Sequence, residues 1–215
     1  MTAPEVSTEA VQNAISRLAE HISEPECELD YQSPFQLLVA TILSAQCTDA
    51  RVNMVTPALF ERFPTAQDIF AAESDDIETL IHSTGFYKAK ARNLQACCKT
   101  IVQQFSGNMP EELDGLCQLP GVGRKTANLV LGVAFGKATG VVVDTHAARV
   151  SQRLGLTSES KPEKIEKELM HLVPTDQWVD LGHRLILHGR RTCKAKNPMC
   201  DECAIRDACP QIGVS

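Results

Sequence analysis

Residues 119–127 read Leu-Pro-Gly-Val-Gly-Arg-Lys-Thr-Ala, and the interpretation of this 215-residue chain begins with them. The paired glycines Gly121 and Gly123 allow backbone shapes closed to other residues and remove side chains where another molecule must approach. A helix predicted from Thr126 to about Phe135 directs its free N–H groups back at this turn, which suits a phosphate. The alternative is an ordinary turn between two helices. A Walker phosphate loop is excluded, because the spacing Gly-x-x-x-x-Gly-Lys is absent.

Lys125 is a candidate nucleophile at the start of this helix. A cation is disfavoured at a helix N-terminus, and a neutral amine can form a Schiff base with an aldehyde-like carbon. Nineteen residues later, Asp144 follows the short apolar run Val141–Val143. Asp144 suits a helix N-cap, and a carboxylate can also stabilise positive charge that develops on a sugar. Lys125 as a plain phosphate contact is the alternative.

Four of the nine cysteines lie close together near the C-terminus, as Cys193-x6-Cys200-x2-Cys203-x5-Cys209. Four thiolates can bind either a zinc ion or a cubane iron–sulfur cluster. Structural zinc sites usually show two close cysteine pairs, and here only Cys200 and Cys203 are close, so the spacing favours a cluster. The other five are expected to be small buried apolar residues: Cys27, Cys47, Cys97, Cys98 and Cys117.

The charge of the chain is unevenly distributed. The net charge is −6, but residues 1–116 carry a net of −10 and residues 117–199 a net of +6. A basic block in an acidic protein is a candidate surface for a polyanion, with chance clumping as the alternative. The sequence has no apolar run long enough to cross a membrane, and its polar, acidic first ten residues are unlike a signal peptide. A cytoplasmic protein is therefore expected, nucleoid-associated if the source is prokaryotic.

The apolar spacing predicts an all-α protein. Ser33-Pro34-Phe35-Gln36 is a capping-box pattern with proline at the first helical position. Ile77, Leu80 and Ile81 follow acidic residues that suit a helix start, and further stripes occur at residues 94–101, at 165–172 and at 178–185, before Gly189. The only strand-like run, residues 141–143, is too short to found a sheet.

The segment 119–127 resembles the helix-hairpin-helix motif, whose backbone grips a DNA phosphate without reading sequence. The order of hairpin, lysine, aspartate and four-cysteine loop resembles the endonuclease III family, from about Ser33 to Cys209. Ser44-Ala45-Gln46-Cys47-Thr48-Asp49 is similar to a family motif, Gly85-Phe86-Tyr87 to its wedge loop, and Leu187-His188-Gly189-Arg190 to its approach to the cluster.

This resemblance implies two helical domains on either side of a DNA-binding cleft, and a C-terminal iron–sulfur cluster loop. Residues 27–138 would form a six-helix barrel with the hairpin at about 114–135. Residues 1–26 and 139–215 would form the second domain, with a 4Fe–4S cluster bound by Cys193, Cys200, Cys203 and Cys209. The partner would be double-stranded DNA with damaged pyrimidines or abasic sites, bound by a monomer.

The resemblance also assigns roles to residues. Gln46 would fill the space left by a flipped nucleotide, and Phe86, where many relatives have leucine, would wedge the opposite strand. The full set of expected DNA contacts is Gln46, Phe86, Lys90, Gly121, Gly123, Arg190, Lys194 and Lys196. The cluster loop is less basic than in many relatives, because Asn197 and Met199 replace expected cations.

The implied activity is that of a bifunctional DNA glycosylase and abasic-site lyase of base-excision repair. Lys125 would attack the sugar and displace the base, Asp144 would stabilise the developing charge, and β-elimination would break the strand on the 3′ side. The related adenine glycosylase lacks the lysine and carries a glutamate where Thr41 stands here. A thymine-mismatch glycosylase also usually lacks the lysine. A non-enzymatic DNA-binding module with a zinc-stabilised tail is the alternative of another class, but it gives no reason for Lys125 and Asp144 to occur together.

Overall fold

The apolar stripes form α-helices in the computed structural model of the chain, which describes residues 7–214. No β-strand occurs within that range, so the prediction of an all-α protein is confirmed. Of the ten polar N-terminal residues that are unlike a signal peptide, residues 1–6 lie outside the described part of the chain. The helices are α1 (Thr8–His21), α2 (Pro34–Leu43), α3 (Asp49–Arg62), α4 (Ala66–Ala71), α5 (Ser74–Ile81), α6 (Tyr87–Gln104), α7 (Leu113–Cys117), α8 (Arg124–Phe135), α9 (Thr145–Arg153), α10 (Pro162–Leu172) and α11 (Trp178–Arg191).

The chain divides into two compact units. One unit is Cys27–Lys137, which contains α2–α8, and the other consists of the described residues on either side of it. Within residues 7–214, no helix has the length and apolar character that a membrane crossing requires.

The core of Cys27–Lys137 is built from helix faces that the periodicity predicts. Leu37, Leu38, Leu94 and Ile101 are fully buried, and they belong to one apolar cluster that extends into α8. Burying a side chain of this size contributes about 1.5–3 kcal/mol. This apolar support fixes the position of the glycine turn that precedes α8.

Helix α2 begins as the sequence indicates, with one difference. The Ser33 hydroxyl accepts the Gln36 N–H at 3.2 Å, and Pro34 is the first helical residue. The Gln36 side chain, however, accepts the N–H of Gln32 at 2.8 Å rather than that of Ser33. A full capping box occurs instead at α4, between Thr65 and Asp68.

In the second unit, α11 packs against α9 and against the segment that precedes α9. Two glycines of α11 allow these neighbours to come close to the helix. A Cβ on Gly182 would lie 3.0 Å from the backbone nitrogen of Val142, and a Cβ on Gly189 would lie 2.9 Å from the Cβ of His146. Gly189 thus serves a packing contact and does not end the helix, because α11 continues through it to Arg191. Residues 141–143 are buried, non-strand backbone against α11 and lead directly into α9.

The scattered cysteines do not all behave as expected. Cys97 and Cys98 are buried in the core, and burial raises the pKa of the Cys97 thiol to about 12. The expectation is wrong for Cys117, which is exposed just before the glycine turn. Cys27 and Cys47 are half-buried.

Candidate active site and nucleic-acid interface

The glycine turn is a tight connection between α7 and α8, held by two buried apolar side chains. Leu119 and Val122 are buried, and the Val122 N–H donates to the Leu119 carbonyl at 3.0 Å. Gly121 lies between them with φ of +80°, a conformation that side chains disfavour. Gly123 has an ordinary φ of −93°, and nothing lies within 4 Å of where its Cβ would be. Gly121 is thus required by the backbone, whereas Gly123 leaves open space at the surface.

Helix α8 begins at Arg124, two residues earlier than predicted, with Gly123 as its N-cap. Glycine has no side chain to cap the first helical turn, so the positive end of α8 is not covered by a capping side chain, and such a helix start suits an anion. Lys125, the second helical residue, is exposed. This geometry places an exposed amine in the first turn of α8, next to the glycine turn.

Asp144 is the N-cap of α9. Its Oδ1 accepts the N–H groups of His146 and Ala147, each at 2.8 Å, so the predicted cap is present. The residue is half-buried, and no described residue outside this cap bonds its second oxygen, Oδ2. One oxygen therefore fixes the carboxylate and the other stays available. Lys125 and Asp144 belong to different units, and their meeting at one substrate remains a prediction.

Gln46 and Phe86 share a conformation that is uncommon for their residue types. Both have positive φ, 52° for Gln46 and 50° for Phe86, and both are exposed, Phe86 to 68%. Non-glycine residues in the left-handed region store strain that clusters at functional sites. Their exposure and conformation suit side chains that project into a partner, and the two DNA contacts stay predictions.

Lys90, which is expected to contact DNA, is buried in this structure rather than presented at the surface. Its side chain is 4% exposed, and Nζ donates to the Thr84 carbonyl at 2.8 Å. Burial lowers the pKa of Lys90 from its ordinary value. The position of Lys90 on α6 does not predict its burial, because the side chain turns back toward the loop that precedes the helix.

The four clustered cysteines line one cavity, together with Arg153, His188 and Arg206. A structural zinc site needs four ligands within about 2.0–2.3 Å of one point. Among residues 7–214, no group of three or more His, Cys, Asp or Glu side chains is arranged to hold a metal ion. A cubane cluster takes its four thiolates on separate iron atoms. The four cysteines lie around one cavity and form a donor set that can serve either a zinc ion or a cubane cluster.

Two arginines of α9 hold the start of this cysteine loop, and the sequence reading missed both. Arg149 donates to the carbonyls of Gly189 at 2.9 Å and Cys193 at 3.1 Å. Arg153 donates to the Lys194 carbonyl at 2.7 Å and to the Cys193 sulfur at 3.3 Å. The two arginines are four residues apart and so lie on one face of α9. This spacing is the feature of the sequence that could have indicated a shared role. The helix capped by Asp144 is thus bonded to the loop that carries the cysteines.

The remaining expected DNA contacts lie on the surface at the end of α11 and in the loop after it. Arg190, Lys194 and Lys196 are exposed. Asn197, which replaces an expected cation, has a φ of 51°, a conformation that asparagine tolerates better than most residues. Nearby, His188 is buried, with Nε2 3.7 Å from the Cys203 sulfur.

Comparison with known proteins identifies the family. The chain matches the HhH-GPD superfamily of base excision DNA repair proteins over residues 39–175. It is 53% identical to the endonuclease III of Synechocystis sp. over 189 residues, which cover 88% of this chain and 86% of that protein. The chain belongs to the endonuclease III family.

Other members of the endonuclease III family agree with this placement. The endonuclease III of Bacillus subtilis is 42% identical over 200 residues, 93% of this chain and 91% of the relative. A structure of a trapped endonuclease III–DNA covalent intermediate superposes with a TM-score of 0.91 at 41% identity, covering 96% of this chain and 97% of the other. Both the sequence and the fold thus place the chain in the endonuclease III family over nearly its whole length.

Proposed function

We propose that this chain is a bifunctional DNA glycosylase and abasic-site lyase in which Lys125 is the nucleophile and Asp144 the charge-stabilising carboxylate. The observation that carries the proposal is the exposed Lys125 amine at the start of α8, directly after a surface glycine turn whose N-cap, Gly123, has no side chain to cover the positive end of the helix. A phosphate bound at that turn would hold the neighbouring sugar within reach of the amine. The related trapped complex is described as a covalent endonuclease III–DNA intermediate, which supports a covalent mechanism.

The chemistry assigns one step to each group. The neutral Nζ of Lys125 attacks the anomeric carbon of the flipped nucleotide, the bond to the damaged base breaks, and the base leaves. The free Oδ2 of Asp144 stabilises the cationic sugar and accepts a proton from the attacking amine. The sugar ring then opens as its C1′–O4′ bond breaks and the ring oxygen takes up a proton, which leaves a protonated Schiff base at C1′. This group acidifies the neighbouring C2′–H bond, so loss of the C2′ proton breaks the C3′–O bond and expels the 3′ phosphate. Water then releases the enzyme from an unsaturated 3′ aldehyde, and the other strand end is a 5′ phosphate.

Binding is proposed to involve groups from several segments. Gly121, Gly123 and the first turn of α8 would hold one phosphate, and Lys194 and Lys196 would add electrostatic attraction that is independent of sequence. Gln46 and Phe86 would occupy the space left in the duplex by the flipped nucleotide. Oxidised pyrimidines are the proposed damaged bases.

Cys193, Cys200, Cys203 and Cys209 would hold a 4Fe–4S cluster. The cluster would supply structural support for the loop that presents Lys194 and Lys196. The chain's own residues organise this region as well: Arg149 and Arg153 bind the backbone on either side of Cys193, so the loop is tied to α9.

The test compares the parent with Lys125→Ala on a duplex that carries one abasic site. The parent should cleave it to a 3′ unsaturated aldehyde and a 5′ phosphate, and Lys125→Ala should bind the duplex but not cleave it. Lys99→Ala, which removes an exposed lysine of α6, is the matched control and should cleave as the parent does. Binding without cleavage by the parent would establish the non-enzymatic module instead.

A further inference from the structure

The loop that carries Phe86 is short, and the rings of His82 and Tyr87 pack across it with their centroids 4.4 Å apart. It consists of Gly85, with φ of +70°, and Phe86, with φ of 50°, between a short 3₁₀ turn (His82–Thr84) and α6. Helix α6 begins without a side-chain cap. Two consecutive residues with positive φ would be poorly populated in a free loop, because the left-handed region is unfavourable for phenylalanine. Contacts from elsewhere must hold this shape.

Lys90 supplies contacts on both sides of the Gly85–Phe86 turn. Its ammonium donates to the carbonyl of Thr84 at 2.8 Å, and its backbone N–H donates to the carbonyl of Phe86 at 3.0 Å. The Thr84 hydroxyl in turn donates to Ile81 at 2.8 Å, which fixes the 3₁₀ turn on α5. Lys90 therefore bonds the carbonyls of both residues that flank Gly85, which are Thr84 and Phe86.

Burial of a charged ammonium group destabilises a fold unless specific interactions compensate. Removing a charge from water costs free energy that an apolar side chain of similar length would avoid. Lys90 is 4% exposed, and within residues 7–214 its side chain bonds only to the Thr84 carbonyl. Cys47, the residue after Gln46, lies close enough to Lys90 to influence its pKa, so the amine is also near the second segment proposed to enter DNA. This placement indicates a specific task rather than general packing.

We propose that Lys90 is a positioning residue, whose buried ammonium holds the Thr84 carbonyl and thereby fixes the Gly85–Phe86 turn in the shape that projects the Phe86 ring into DNA. The inference rests on the proposed function of Phe86 as a wedge. It assigns no contact between Lys90 and the substrate. Lys90 acts through the loop, before any DNA is bound.

The test uses Lys90→Met, which keeps the length and apolar bulk of the side chain but removes the donor. Binding is measured on a duplex with a stable abasic analogue and a fluorescent adenine analogue in the opposite strand, whose emission rises when the ring of Phe86 unstacks it. Lys90→Met should weaken binding about tenfold, equivalent to about 1.4 kcal/mol, because a loose loop must be ordered on binding. It should also lose most of the fluorescence rise, and Lys90→Arg, which retains a charged donor, should keep most of it.

Two further measurements separate wedge positioning from a general loss of structure. Cleavage of a single-stranded abasic oligonucleotide needs no wedge, so Lys90→Met should match the parent there. In the double variant with Phe86→Ala, Lys90→Met should cause no additional loss of duplex binding, since the wedge is already missing. Lys99→Met, at an exposed lysine of the same helix, should leave every readout unchanged.

Additive losses in the double variant, or an equal loss on single-stranded DNA, would overturn the proposal and make Lys90 a general support of the fold. The binding and fluorescence measurements need no bond cleavage. If the parent bound DNA and raised the fluorescence without cleaving, the proposed lyase function would fail while the role of Lys90 stood.

Discussion

Asp144 is predicted to have two roles that substitutions can separate. Oδ1 caps α9 by accepting two N–H groups at 2.8 Å, and the charge of the carboxylate is proposed to stabilise the sugar cation. Asp144→Asn keeps an acceptor oxygen at the cap but removes the charge. Asp144→Ala removes both the cap and the charge.

The expected stabilities follow from the cap geometry. Asparagine caps a helix about as well as aspartate, so Asp144→Asn should lose only the charge–dipole contribution of about 0.3–1 kcal/mol. Asp144→Ala should lose a further ~1 kcal/mol from the cap. For a chain of this length, each kcal/mol lowers Tm by about 2–4 °C. Excision should behave differently, falling about 10²–10⁴-fold in both variants, because both lack the carboxylate.

The assays are thermal unfolding, gel-shift binding, and single-turnover excision on a duplex with one oxidised pyrimidine. Ser33→Ala is the matched control, because Ser33 caps α2 through one N–H at 3.2 Å and lies outside the proposed chemistry. It should lose about 1 kcal/mol of stability and keep normal excision. If Asp144→Asn kept excision, or lost DNA binding as severely as excision, Asp144 would be a structural cap and the assigned chemistry would be wrong.

Other predictions concern the turn, the cluster loop and the cysteines. Gly121→Ala should cost about 1–2 kcal/mol of folding stability because of its φ of +80°. Gly123→Ala should lose less stability, because its φ of −93° suits alanine, and yet it should bind DNA more weakly; equal melting losses in the two variants would contradict this. Lys194→Ala and Lys196→Ala should each weaken binding on all sequences alike and reduce the salt slope by about 1, and a loss confined to certain sequences would argue against a phosphate role. The purified parent should contain iron rather than zinc and absorb visible light, and Cys203→Ser should lower both iron content and absorbance; a colourless, zinc-loaded parent would favour the zinc alternative.

Local features of the sequence predicted much of the fold and part of the candidate site. The caps at Ser33 and Asp144 and the helix after the glycine turn depend on neighbouring residues, so they can be inferred from a short stretch of chain. Helix α8 begins at Arg124, two residues before the predicted start at Thr126, because Gly123 itself serves as the N-cap. Apolar spacing likewise predicted α5 and α10 without any tertiary information.

What the sequence could not predict depends on the direction in which side chains point. Lys90 looks like any helix-surface lysine, but it folds back to Thr84 and is buried. Arg149 and Arg153 look like solvent-facing cations, but they bind backbone carbonyls around Cys193 that are 40 or more residues away. Gly189 reads as a helix end, but it is the contact point with His146. Each case is decided by packing between segments that are distant in sequence.

The most direct test of the lyase mechanism is reduction with borohydride during incubation with abasic DNA, followed by peptide mapping of the adduct. The account predicts one covalent protein–DNA species, with the sugar remnant attached to Nζ of Lys125, and no such species for Lys125→Ala. An adduct mapped to another amine, or trapping by Lys125→Ala as efficient as that of the parent, would contradict it.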